Sequence, residues 1–372
     1  MILSSKERIT RIFQNKETDR PALKLWGADI SENFPHPAYA PVHRLAMRTS
    51  DLFASAGSPF SLYSGQNNIY TSEYEDTADP LWKIAHSYIN TPKGLLHQAA
   101  RVSTIGEPSY TIEYALKQEG DLDKLLSIPY EPFPFDASGY FQKTDELGDR
   151  GVVMFGLDHA GYGLQRLAGS ENIAYFSVDC REKVDEIISI FSGRIREHAK
   201  KAIDAGIKIF DWVGPELLIP PLMSLKDFED FCFANDKPIC DDIHDAGGYT
   251  WLHCHGKVFK LIPRFIEMGI DVLNPLEPPK NGDIDLPAAI EKYQNKIGWE
   301  GNIEIQDILL SPPEQLRELI RKCAEAGAKS GRFIMCPSAG YAEYVSPSEL
   351  YINNLLLYLD YGLECLKNSQ NQ

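Results

Sequence analysis

A chain of 372 residues, 43% hydrophobic and 24% charged, is long enough to bury one large core or two smaller ones. Its net charge of −16, with a pI near 5.0 and no Lys/Arg-rich run, repels phosphate backbones and excludes nucleic acid as a partner. Seven cysteines without a CxxC pair read as small core residues of a reduced, cytoplasmic protein, not as a disulfide framework.

Taken in order, residues 4–16 predict a short helix: Ser4 or Ser5 can cap it, and Ile9, Ile12 and Phe13 make an i, i+3, i+4 stripe. The N-terminus has no apolar signal-peptide core, and no stretch approaches the roughly 18 apolar residues of a membrane span. Asp19-Arg20-Pro21 breaks the helix, and Ala22–Trp26 reads as a strand. Residues 27–150, rich in Pro, Gly, Ser and aromatics, predict an irregular or partly β insertion that shapes a pocket. Within it a helix is expected near 40–55 and hairpins at runs such as Ser87–Gly94.

From residue 151 the rhythm is regular. Strands are expected at Gly151–Gly156, Ile207–Trp212, Tyr249–His253, Ile270–Leu273, Ile297–Trp299 and Arg332–Met335. Helices are expected at 181–205, 224–245, 257–268, 287–295, 311–326 and 347–367, several of them punctuated by Gly or Pro. Together with Ala22–Trp26 these are seven strands alternating with helices, with room for one more before residue 150. Such alternation means a parallel sheet with right-handed crossovers. Its length fits an α/β fold closed as a (β/α)8 TIM barrel, residues 1–372 forming a single domain with the 27–150 insertion. No GxGxxG follows the first strand, which argues against a dinucleotide fold.

Barrel chemistry sits at the C-terminal strand ends, and here those ends are polar. Asp158-His159 follows the first regular strand. Asp211 and Glu216 lie on and after the next. The third carries His253 and His255, which share one strand face while Cys254 points the other way. Then come Asn274 and Glu277, Glu300 and Asn302, Cys336 and Ser338. Polar residues at strand ends also simply meet solvent, but two His, a Cys and several carboxylates on one rim suit a divalent metal, zinc above all. Cys336 reads either as the third ligand or as a small buried residue. Glu216 could complete the sphere, orient a ligand or cap a loop. Asp158 and His159, adjacent on a strand, diverge and do not act on one proton.

These residues carry a resemblance. The chain resembles the uroporphyrinogen decarboxylase superfamily from about residue 4 to 365, most strongly after 151. The matching features are Arg20-Pro21, Thr91-Pro92-Lys93-Gly94, Ala205-Gly206 before Asp211, and Gly247-Gly248 before the His-rich strand. Others are Met268-Gly269-Ile270-Asp271, Gly301-Asn302-Ile303 and Phe333–Pro337. True porphyrinogen decarboxylases carry Arg-Gln-Ala-Gly-Arg after the first strand to hold carboxylates. Here Trp26-Gly27-Ala28-Asp29-Ile30 has no arginine, which disfavours a polycarboxylate substrate.

The other branch, the cobalamin-dependent methyltransferases, uses zinc held by His-x-Cys and a distant Cys. Here His253 matches the first position, the second is His255, and the distant Cys would fall near Ala339, three residues after Cys336. The resemblance therefore implies a zinc site of His253, His255 and Cys336, and a methyltransferase moving methyl between a small methylated compound and a corrinoid, free or on a partner protein. Asp211, Glu216 and Glu300 are the expected catalytic acids, and Asp158, Glu277 and Asn302 the expected substrate contacts. A decarboxylase of a small carboxylate, needing several Arg or Lys at the rim where Lys257 and Arg332 are the candidates, is the enzymatic alternative. A non-catalytic tetrapyrrole or corrinoid binder is the other. Either way a monomer or homodimer is expected.

Overall fold

The computed structural model describes residues 2–31, 33–65 and 69–369. The first helix, α1 (Ser5–Phe13), begins with a capping box: Ser4 Oγ accepts the Glu7 N–H, and the Glu7 carboxylate accepts the Ser4 N–H. Ile9, Ile12 and Phe13 are buried against Ala22, Val152, Ile209, Val272 and Ile334 of the barrel strands, so the stripe read from sequence closes the bottom of the barrel. Ser4→Ala is expected to cost about 1 kcal/mol of unfolding free energy, read from the urea midpoint.

The strands β1 (Ala22–Leu23) and β2 (Leu52–Ala56) flank α2 (Ala40–Thr49). The insertion, expected to be irregular or partly β, contains a four-stranded antiparallel sheet. Its strands are β3 (Tyr70–Asp76), β4 (Trp82–Thr91), β5 (Gly94–Ser103) and β6 (Tyr110–Glu113), in that spatial order. The β4–β5 hairpin turns at Thr91 and Gly94, where Gly94 takes a φ of 122°. Helices α3 (Glu119–Leu126) and α4 (Ser138–Leu147) return the chain to β7 (Gly151–Leu157).

Thereafter β and α alternate: α5 (Ala160–Asp179), α6 (Arg181–Asp204), β8 (Ile209–Val213), α7 (Leu225–Phe228), α8 (Ala234–Asp245), β9 (Tyr249–His253), α9 (Ile262–Met268) and β10 (Val272–Leu276). They continue as α10 (Leu286–Tyr293), β11 (Gly298–Ile303), α11 (Ile305–Leu310), α12 (Pro313–Ala328), β12 (Phe333–Pro337) and α13 (Glu349–Asn368). The eight strands β1-β12-β11-β10-β9-β8-β7-β2 form one parallel sheet curled into the (β/α)8 order. At the seam between β1 and β2, Asp51 substitutes for ladder pairing. Its N–H donates to the Leu23 carbonyl, its carboxylate accepts the Leu23 N–H, and Arg8 and Arg20 neutralise it. No helix among the described residues is long and apolar enough to cross a membrane.

Several elements escape the periodicity reading, α3, α4 and α11 among them, and two of the others bear directly on the barrel. The second barrel strand is β2, hidden in the insertion. The other is α5, where Gly161 and Gly163 allow close packing: a Cβ would stand 2.1 Å from Leu218 Cδ1 and 2.0 Å from Leu62 Cδ1 respectively. Glycines in place of apolar side chains erase the 3.6-residue stripe. The segment expected as one helix over 224–245 is α7 and α8 joined by a π turn at Glu229–Phe233.

Candidate functional site

Inside the barrel a buried carboxylate organises the upper layer. Glu300 on β11 accepts the Lys24 ammonium at 2.6 Å, the Trp251 indole N–H at 2.7 Å and the Asn274 amide at 2.9 Å. Each partner comes from a different segment, because Lys24 follows β1, Trp251 is on β9 and Asn274 on β10. Glu300 is fully buried and Lys24 nearly so, and the ammonium also lies 3.9 Å from the Trp26 ring centroid. A charge this deep is tolerable only with such satisfaction.

The network sets the histidines. Asn274 gives its amide protons to Glu300, so its Oδ1 accepts from His253 Nδ1 at 2.5 Å. That bond fixes His253 with Nδ1 protonated and the Nε2 lone pair free. His255 Nδ1 donates to Glu277 Oε1 at 2.9 Å, while Glu277 Oε2 accepts the Gly256 N–H at 2.8 Å, fixing the second ring in the same tautomer. The rings stand perpendicular with centroids 4.5 Å apart. Burial, with His255 beside it, pushes His253 down to about 4, so it stays neutral at physiological pH. Carboxylate and amide groups holding Nδ1 while Nε2 points outward are the outer-shell arrangement of metal-binding histidines.

Both rings line a cavity of about 400 Å³ at the C-terminal end of the strands, walled by Trp26, Phe53, Trp251 and Met154. Asp211 on β8 enters it, with Ser55 Oγ 3.2 Å from its Oδ1. Burial pushes the Asp211 carboxyl up to about 6 against the pull of Ser55 and Lys24. An unfolded chain releases that proton near 3.8, so folding stability falls as pH rises from about 4 to about 6, and the deficit persists above. Asp211→Asn is therefore expected to be ~1–3 kcal/mol more stable than the parent at pH 7.5 and equal to it near pH 3.5, by urea titration at both pH values.

The remaining expected site residues scatter. Cys336 is fully buried on β12 and absent from the cavity wall; burial, with Glu300 close by, pushes its thiol well above the usual range. Glu216 lies in the turn after β8, where its Oε2 is buried without a hydrogen-bond partner and burial raises its carboxyl, with His255 and His159 nearby. Glu277 and Glu300 orient His255 and His253 and do not line the cavity, and Asn302 donates to the Leu276 carbonyl. Asp158 and His159 lie just after the end of β7, not on it. Both border a separate cavity of about 370 Å³ beside the insertion sheet. Arg332, a candidate for the rim, instead lies at the opposite end of its strand, bonded to the carbonyls of Ile12, Phe13 and Asp271.

Among the described residues, one group of three has ligand atoms within 4.8 Å of one another: His159, Cys232 and Asp236, all buried. His253, His255 and Cys336 do not meet that spacing. In the buried group His159 Nδ1 caps α5 by accepting the Tyr162 N–H at 3.1 Å, so Nε2 carries the proton given to Asp236 at 2.9 Å. With both ring nitrogens committed, this is a hydrogen-bonded brace that a metal would have to dismantle.

Lys24, Trp26 and Ser55 were not anticipated as site residues. A lone lysine in an apolar strand, alternating with Trp26, was the available sign for the first two. The sequence profile described as Uroporphyrinogen decarboxylase (URO-D) matches residues 165–351. A methyltransferase from Methanosarcina mazei superposes with a TM-score of 0.61 at 13% identity, covering 100% of both chains. A D-psicose 3-epimerase from Clostridium cellulolyticum H10 reaches a TM-score of 0.33 at 12% identity, covering 62% of this chain and 83% of its own. No curated protein shows significant similarity to the chain.

Proposed function

Because the chain belongs to the uroporphyrinogen decarboxylase family, and its barrel mouth presents two oriented imidazoles, we propose that it is a zinc-dependent methyltransferase serving a corrinoid. The observation that carries this reading is the pair His253 and His255. Both have Nδ1 tied back, to Asn274 and Glu277, and both face the cavity. Glu216, whose orphaned Oε2 is close enough to His255 for the two to interact electrostatically, is the carboxylate that would have to move in to complete an N,N,O donor set. Its oxygens and the two imidazoles do not lie within 4.8 Å of one another. The buried, protonated Cys336 fits less well as a third ligand. Bound zinc would supply a Lewis acid for the heteroatom bearing the methyl group, and a corrinoid, free or on a partner protein, would carry that group.

The chain's own residues have definable tasks. Trp26, Phe53 and Trp251 exclude water and orient the substrate. Asp211 holds a proton on its carboxylate up to about pH 6 and passes it to the heteroatom that loses methyl. Demethylation is then expected to decline as pH rises through about 6, and Asp211→Asn to flatten that limb. No arginine lines the cavity and its lysine is already paired, so the wall offers little to a polycarboxylate. The test is incubation with zinc, reduced cobalamin and a panel of methyl ethers, amines and thiols, following methylcobalamin by absorbance. Carbon dioxide release from a small carboxylate without methylcobalamin would install the decarboxylase reading. Tight cobalamin binding without turnover would install the carrier reading.

A further inference from the structure

The cavity of about 370 Å³ between the insertion sheet and α5 shares no lining residue with the one at the barrel mouth. On its sheet side Ser87 of β4 and Gln98 of β5 are direct cross-strand partners and so share a face, and Ile89, two residues after Ser87, shares it too. Opposite them Tyr162, Gly163, Arg166 and Leu167 make one face of α5, and Asp158 follows β7. The walls are tied together: the Tyr63 hydroxyl donates to the Gly163 carbonyl at 3.2 Å, and the Tyr70 hydroxyl lies 3.3 Å from Ser61 Oγ.

Three polar groups on these walls are unpartnered. Among the described residues neither the Asp158 carboxylate nor the Arg166 guanidinium makes a hydrogen bond or an ion pair. The third is Gln98 Oε1, buried without a donor, a state that costs free energy until a donor reaches it. Asp158 is open to the cavity, yet the protein around it crowds water from its other sides and pushes its carboxyl up, against the pull of Arg166. The Arg166 guanidinium sits 5.7 Å from the Tyr162 ring centroid, on the same lining. Asp158 thus calls for a cation, Arg166 for an anion and Gln98 for a hydrogen-bond donor. A ligand with one charge satisfies one of the first two and leaves the other bare, whereas a zwitterion satisfies both. Leu62, Ile89 and Leu167 supply an apolar floor, and the volume suits a small molecule.

We propose that this cavity is a second ligand site, for a free α-amino acid with an apolar side chain. Its ammonium sits on Asp158 and Gln98 Oε1, its carboxylate on Arg166, and its side chain against Leu62, Ile89 and Leu167. His159 borders the cavity but has both ring nitrogens committed, to Asp236 and to the Tyr162 N–H, and adds no contact. The site stands apart from the methyl-transfer reading, because none of its residues faces the barrel mouth.

The experiment is equilibrium binding to the full chain at pH 7.5 by ligand-observed NMR, with L-leucine, L-leucine methyl ester, N-acetyl-L-leucine and glycine as probes. Leucine is expected to bind at least ~10-fold tighter than the ester, which lacks the carboxylate, and than the N-acetyl form, which lacks the ammonium. Glycine, with both charges and no side chain, is expected to bind more weakly than leucine. Asp158→Asn should weaken leucine about tenfold and leave N-acetyl-leucine unchanged, while Arg166→Gln should weaken leucine about tenfold and leave the ester unchanged. Both substitutions alter side chains that bond to nothing in the fold, so both variants should fold, as urea unfolding can check. The proposal is overturned if leucine does not bind, if either derivative binds as tightly, or if neither substitution moves the leucine affinity. Amino acids chelate zinc, so the titration is repeated with a chelator and in the His253→Ala, His255→Ala variant. Leucine binding lost in either case would place it at the barrel mouth and overturn the second site. Leucine binding retained in both, with methyl transfer absent, would keep this site and remove the methyltransferase reading.

Discussion

Replacing His253 and His255 together by alanine is expected to abolish zinc retention and lower methyl transfer by at least ~10³-fold. A Lewis acid supplies several kcal/mol of transition-state stabilisation, and each 1.36 kcal/mol is a factor of ten. Plasma mass spectrometry of parent and variant reads the metal, and methylcobalamin formation reads the rate. The two rings line the cavity and each makes one side-chain bond, to Asn274 and Glu277, so the variant should fold, as urea unfolding can check. The neighbours sharpen the test. Glu277→Gln keeps both imidazoles but weakens the bond that fixes the His255 tautomer, and a loss of about 10–100-fold in zinc affinity is expected. Cys336→Ser should leave zinc content unchanged if the donors are His253, His255 and Glu216, and Glu216→Gln should lower it. A zinc-free parent protein would remove the Lewis acid from the reaction altogether.

The His pair was legible before the fold because a strand has period two, and Gly247-Gly248 and Gly256 bracket Tyr249–His255 so tightly that its register could not slip. The barrel was legible from residue 151 onward for a similar reason: apart from α5 and α11, most helices there carry an apolar stripe and a glycine or proline near an end. What escaped depends on depth and on distant partners. Cys336 and Ser338 both end β12, yet Ser338 reaches the cavity and Cys336 stays buried below it, and no local pattern fixes the height of a strand in a barrel. The bonds that set both tautomers join residues 21 and 22 apart along the chain. β2 was concealed because Leu52-Phe53-Ala54-Ser55-Ala56 is short and follows α2 almost directly, so the helix expected near 40–55 absorbed it; that helix ends at Thr49. Lys24 was read as part of a strand without a role, since its meaning comes from Glu300, 276 residues away.

That pair carries the second large expectation. Glu300→Leu removes the counterion of an ammonium whose side chain is 4% exposed, and strands the Trp251 indole and Asn274 amide protons. Breaking one side of a buried pair costs about 3–5 kcal/mol, because the remaining charge stays desolvated. The urea midpoint should fall accordingly with an unchanged slope. Lys24→Met in the same chain is expected to restore most of the loss, since an apolar pair of similar volume removes both desolvation costs, and the double-mutant cycle then gives the coupling directly. A loss under about 1 kcal/mol in Glu300→Leu would mean that water reaches Lys24 and that the pair is not structural. Function separates from stability here in one respect. With Glu300 gone, Asn274 loses the acceptor that orients its amide, so its Oδ1 no longer holds His253 in a single tautomer. The rescued double variant should therefore be stable yet bind zinc about tenfold more weakly than the parent. A double variant recovering both stability and zinc affinity would show that Asn274 orients His253 without help from the buried carboxylate.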